Sequence, residues 1–172
     1  MKFINSEIGL SIEIADELAA TIHKAGLSHY PKEFGGILVG HYTEDRLSVN
    51  ITDTILPSMY KSSPVSFDRG AEGLKEKLLA MFTAEPSRIY VGEWHTHPNA
   101  APYPSATDIR ALRQIVAADS VNINNPIMLI VGLTQAKMEL GFYVYLNNQV
   151  YRYVLENDSV GDNTFENKPK LF

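Results

Sequence analysis

The chain has 172 residues, 45% of them hydrophobic and 20% charged, with a formal net charge of −5; this fits one globular domain with a real core. An acidic balance without a block of Lys or Arg speaks against a nucleic-acid partner, whose phosphates call for a basic surface. The absence of cysteine removes disulfides, thiol nucleophiles and Cys-ligated metals, so any metal must rest on His, Asp, Glu or water.

Met1 to Leu10 lack the basic segment and apolar run of a signal peptide. The longest apolar stretch, Ile127 to Val131, is too short to span a bilayer. A soluble, cytoplasmic protein with no membrane contact is expected, and the lack of Cys fits a reducing compartment.

Leu10, Ile12 and Ile14 alternate with polar residues, the period of a strand. Ile14, Leu18 and Ile22 then recur at helical spacing, and Gly26 is placed to end that helix. Gly35 to Gly40 reads as a short buried strand. It pairs as a hairpin with Leu47, Val49 and Ile51 across a polar turn containing Asp45. Pro57 to Pro64 reads as a loop. Leu74, Leu78 and Phe82 mark the apolar face of a second helix over Ala71 to Phe82.

Ile89, Val91 and Glu93 begin a strand that runs into Trp94 and His95. Pro98, Pro102 and Pro104 make the next stretch irregular. Ser105 opens a third helix with Ile109, Leu112 and Val116 on one face. Strands Ile127 to Leu133, Glu139 to Leu146 and Gln149 to Leu155 follow, with Asn147-Asn148 as the last turn. Residues 1–156 form one α/β domain with a mixed sheet and about three helices; 157–172 read as a polar, mobile tail.

The chemistry concentrates in one segment. His95 and His97 stand at i and i+2 of a strand, so both imidazoles leave the same face and can reach one metal. After a proline-rich loop comes Asp108, in the first turn of a helix. Three protein ligands that leave a place for water are the pattern of catalytic zinc. Each piece also has an ordinary reading. Ser105-Ala106-Thr107-Asp108 resembles a capping box, and Glu33, on spacing alone, is a solvated loop acid. Glu93 shares the face of the histidines, either as a carboxylate orienting an imidazole or as an exposed strand residue. Trp94 points the other way, into the core. His23, His29 and His41 read as surface or loop residues.

Taken together, Glu33 with Gly35-Gly36-Ile37-Leu38-Val39-Gly40, then His95-Thr96-His97-Pro98, then Pro104-Ser105-Ala106-Thr107-Asp108 resemble the full motif of the JAMM (JAB/MPN+) metalloproteases at the right spacing. The resemblance covers roughly residues 10 to 155. It implies a mixed, mostly antiparallel curved sheet flanked by helices, similar to the cytidine deaminases. It also implies one Zn²⁺ per chain on His95, His97 and Asp108, Glu33 as general base and then acid, and Ser105 as a donor to the water or the tetrahedral oxyanion. The implied reaction is cleavage after the C-terminal glycine of a ubiquitin-like protein, or of a target conjugated through an extended tail. With no Cys for a second zinc site, the chain resembles the short bacterial members. Tyr90 to Pro98 and Ser66-Phe67-Asp68-Arg69 look like JAB proteins found beside E1- and E2-like enzymes, some in antiphage operons. Processing of a sulfur-carrier protein is the alternative within the same chemistry; a non-catalytic scaffold of the same fold is the other.

Overall fold

The computed structural model describes residues 1–118, 123 and 125–157. In chain order the elements are β1 (Lys2–Asn5), β2 (Leu10–Ile14), α1 (Asp16–Leu27), β3 (Gly35–Tyr42), β4 (Ser48–Ile55), β5 (Tyr60–Ser63), β6 (Ser66–Arg69), α2 (Leu74–Thr83), β7 (Ile89–Pro98), α3 (Ala106–Ala117), β8 (Ile127–Leu133), β9 (Met138–Leu146), β10 (Gln149–Arg152) and β11 (Val154–Leu155). The expected tail lies, from residue 158 onward, outside the described residues.

Nine strands form one sheet in the order β10-β9-β8-β7-β3-β4-β2-β1-β11. Among these neighbours β2–β4 and β7–β8 run parallel and the others antiparallel, so the sheet is mixed and mostly antiparallel, as expected. The two ends of that order, β10 and β11, are consecutive in sequence and separated by Tyr153 alone. The expected single strand over Gln149 to Leu155 is therefore two: it leaves one sheet edge after Arg152 and joins β1 at the other. The sheet must curl until its edges meet, and the ring of Phe3 on β1 accordingly lies 4.6 Å from that of Phe142 on β9.

Both faces of the central strands are covered, which is why β8 is apolar at every position. Leu129 and Val131 enter the main core with Leu18, Ala19 and Ile22 of α1. Met128 and Ile130 face the other way, with Leu112 of α3. Burying each such Leu or Ile side chain contributes about 1.5–3 kcal/mol before entropy is charged. Asn147 and Asn148 both adopt positive φ, the backbone of a tight β9–β10 turn matched to strand twist.

β1, which no expectation covered, carries no alternating pattern, and its strand is imposed by its neighbours. Three expectations fail in detail. Gly26 does not terminate α1 but lies buried inside it: an added Cβ would stand 2.8 Å from Thr96 Cγ2 and 3.1 Å from Leu133 Cδ2. The glycine lets the helix approach β7 and β8. In α2, Leu74 and Leu78 do pack on Ile37, Val39 and Ile55, but Met81 completes the face, and Phe82 is 58% exposed. Pro57 to Pro64 is not simply a loop, because β5 lies within it and pairs with β6 as a separate hairpin.

Candidate metal centre

The strand that carries the histidines does not alternate regularly. Opposite β3, Leu38 pairs with Gly92 and Val39 with Tyr90, so Val91 is the extra residue of a bulge. Val91 and Trp94 both enter the α1-side core although their spacing is odd. The bulge thereby turns Glu93, His95 and His97 to the opposite face, toward α3.

Glu33 is brought to this place by β3. Gly35 pairs with His95, and a Cβ on Gly35 would stand 2.1 Å from the Trp94 carbonyl oxygen and 2.9 Å from His95 Cβ. Only glycine permits that approach. One step earlier, Phe34 is fixed to Thr96 by two hydrogen bonds. The Glu33 side chain is half-buried and lines the same groove as His95, His97, Ser105 and Asp108.

Asp108 arrives with α3. Ser105 is the N-cap: its hydroxyl accepts from the Asp108 N–H at 3.2 Å, and Asp108 Oδ2 accepts from the Ser105 N–H at 2.6 Å. The capping box is real, yet the same carboxylate also faces both imidazoles. His95 Nε2 lies 3.2 Å from Asp108 Oδ1, His97 Nε2 lies 3.5 Å from Oδ2, and the two Nε2 atoms are 3.0 Å apart. Four-coordinate zinc with bonds of about 2.0–2.2 Å separates its ligand atoms by about 3.3 Å. Two Nε2 atoms and one Asp108 oxygen lie close enough together to share such an ion, and N, N, O donors suit it.

The electrostatics agree. Burial pushes the Glu33 carboxyl up from its ordinary value, against the opposing pull of His95 and His97. Asp108 is held well below the carboxylate range: burial works the other way, but hydrogen bonds from both imidazoles overcome it. For His97, burial opposes protonation, while the hydrogen bond and charge of Asp108 raise its pKa on balance. Asp108 and His97 thus favour each other's charged forms.

The groove has a volume of about 780 Å³. Its floor is β7, one wall is α3 with Leu112 and Ile115, and the other is the β5–β6 hairpin with Ser66 and Phe67. Glu93, for which two readings stood open, pairs with Arg69 of β6 at 2.7 Å and not with an imidazole. Trp94 is buried, its Nε1–H donating to Thr54 Oγ1 at 2.7 Å. His41 lies on β3 rather than in a loop. His29 is not simply a surface residue: its ring stacks on Phe34 at 3.5 Å.

Sequence reasoning missed two residues around the site. Thr96, between the histidines, is fully buried; its alternation with them was the available signal. Ser62 lies on the hairpin and carried no pattern, whereas Arg69 stood in the quoted Ser66-Phe67-Asp68-Arg69 stretch without its Glu93 partner being named.

Residues 15–144 match the model of the prokaryotic homologs of the JAB domain. The chain is similar to a CD-NTase/cGAS isopeptidase of Enterobacter hormaechei, 34% identical over 126 residues, covering 73% of this chain and 67% of that protein. A protein of the same name from Vibrio cholerae is 31% identical over 107 residues, covering 62% of this chain and 65% of the other. Both alignments thus span about two thirds of the relative's length. In fold the chain is similar to the solution structure of protein DSY2949 from Desulfitobacterium hafniense, with a TM-score of 0.59 at 19% identity, covering 82% of this chain and 88% of that one.

Proposed function

Since this chain belongs to the prokaryotic JAB family, we propose that it is a zinc-dependent isopeptidase that releases proteins joined through an extended C-terminal tail. The observation carrying this reading is the convergence of Glu33, His95, His97, Ser105 and Asp108 on one groove. His95, His97 and Asp108 would hold one Zn²⁺. The chemistry that ion supplies when bound is Lewis acidity toward a coordinated oxygen.

The protein's own groups do the rest. The groove takes an extended segment between the hairpin and α3, leaving the scissile carbonyl near the N-terminus of the helix. The Glu33 carboxylate accepts a proton from the attacking water and passes it to the leaving amine as the C–N bond breaks and the C–O bond forms. The Ser105 hydroxyl donates toward the carbonyl oxygen as it becomes anionic. The positive end of the α3 dipole favours the same charge.

The relatives' name, CD-NTase/cGAS isopeptidase, suggests the conjugated target: a nucleotidyltransferase of that class attached through its C-terminal tail by E1- and E2-like proteins. Antiphage defence is the setting this favours. The test uses a CD-NTase-class protein whose C-terminus is fused to a fluorescent reporter. Zinc-loaded protein should cut at the junction, chelation should stop the cut, and added zinc should restore it. No cleavage by zinc-loaded protein, or undiminished cleavage by Glu33→Gln, refutes the proposal.

A further inference from the structure

Glu33 precedes β3, so the nine-stranded sheet does not hold its peptide group; the β5–β6 hairpin does. The Glu33 N–H donates to the Ser63 carbonyl at 2.8 Å. The Glu33 carbonyl accepts from the Ser62 hydroxyl at 2.5 Å. Both backbone groups of the residue are thus bound by two successive residues of β5. The hairpin itself is anchored at the groove: the Phe67 ring packs against that of Phe34 with centroids 5.7 Å apart, and Arg69 pairs with Glu93.

We propose that Ser62 is a positioning residue for the reaction: its hydroxyl holds the Glu33 carbonyl and so helps keep the carboxylate in the groove it shares with the two imidazoles. The inference rests on Glu33 being the base. A glutamate on an unpinned loop samples many backbone orientations, and an orientation error of an ångström at a reacting group can cost about a hundredfold. The bond costs little to form, since Ser62 lies on a paired strand opposite Phe67. A peptide laid along β6, on the groove side of the hairpin, steadies the same unit. Substrate binding and base alignment are therefore coupled through the two hydrogen bonds from β5 to Glu33, of which the Ser62 hydroxyl makes one.

The discriminating variants are Ser62→Thr and Ser62→Val. They are nearly equal in shape and both suit a strand, but only threonine keeps the hydroxyl. Both should retain one zinc per chain. With the reporter-fused CD-NTase-class protein as substrate, Thr should keep kcat within about threefold. Val should lose about ten- to a hundredfold in kcat with KM nearly unchanged. In zinc-free protein, hydrogen exchange at the Phe34 amide, which shares a peptide group with the Glu33 carbonyl, should be about tenfold faster in Val than in Thr. Equal kcat and equal exchange in the two variants, with parent protein active and Glu33→Gln inactive, overturns the Ser62 proposal and leaves the base assignment standing. An active Glu33→Gln protein removes the base assignment itself, and this inference with it.

Discussion

Phe34 and Thr96, 62 residues apart, are joined by two hydrogen bonds: the Thr96 N–H donates to the Phe34 carbonyl at 2.8 Å, and the Phe34 N–H donates to the Thr96 hydroxyl at 2.9 Å. The pair locks the residue after Glu33 to the residue between the two histidines. Thr96→Val keeps the shape and removes the acceptor, leaving a buried N–H without a partner. Denaturant unfolding should show a loss of about 1–3 kcal/mol, and kcat should fall while zinc is retained. A variant as stable as the parent would show that the Phe34 N–H finds another acceptor.

Glu33→Gln should retain zinc, because the residue is not among the three ligand donors, and should lower kcat by about 10²–10⁴-fold. The pH profile follows from burial, which raises the Glu33 carboxyl above its ordinary 4.5 against the pull of the imidazoles. A base must be ionised to act, and a raised pKa means that ionisation is complete only at higher pH. In zinc-free protein the Glu33 carboxyl should therefore titrate above 4.5 when followed by its carboxyl resonance. A titration below 4.5 contradicts this.

Asp108 caps a helix and faces two imidazoles, and two variants separate the roles. Asp108→Asn keeps an oxygen to accept from the Ser105 N–H but loses the charge. Its zinc affinity, by competition with a chelator, should fall more than a hundredfold, beyond the 10–100-fold typical of residues behind the ligands. Its thermal unfolding without metal should also shift down, because the imidazole contacts that hold the Asp108 carboxylate ionised are lost with the charge. Asp108→Ala should show the same metal defect and lose, in addition, about 1 kcal/mol of helix cap. Equal metal-free stability of the two variants would remove the capping contribution.

Gly26→Ala tests the close approach of α1. Alanine gains up to about 1 kcal/mol in helix propensity, but its methyl would stand 2.8 Å from Thr96 Cγ2 and 3.1 Å from Leu133 Cδ2. Overpacking of that kind costs about 1–3 kcal/mol, so crowding wins and the melting temperature should drop. The shifted Thr96 should carry a loss of activity with it. A rise in melting temperature would mean that the helix moves away without cost.

The local parts of the site were legible because they are set by period and spacing. Two residues apart on a strand share a face, hence His95 and His97; a Ser with an acid three residues on caps a helix, hence Ser105 and Asp108. The apolar run of β8 was legible for the same reason. The hairpin was not. Tyr60 to Arg69 has little apolar alternation, and its strands are held by Tyr60 and Phe67 packing on Phe34, a contact that no local pattern announces. Phe82 was misplaced because Met81 lies on the neighbouring helical row and fits the β3–β4 surface better.

By itself, then, the amino-acid order determined which side chains bear ligand chemistry and on which kinds of element they sit. The fold alone decided that Glu33 stands beside them. That outcome needed the bulge at Val91 to turn the histidines away from α1, the missing Cβ at Gly35 to let two strands close, and Ser62 on a distant hairpin to grip the Glu33 backbone. Each is a contact between segments far apart in the chain. Such contacts depend on packing in three dimensions, and periodicity along one dimension does not encode them.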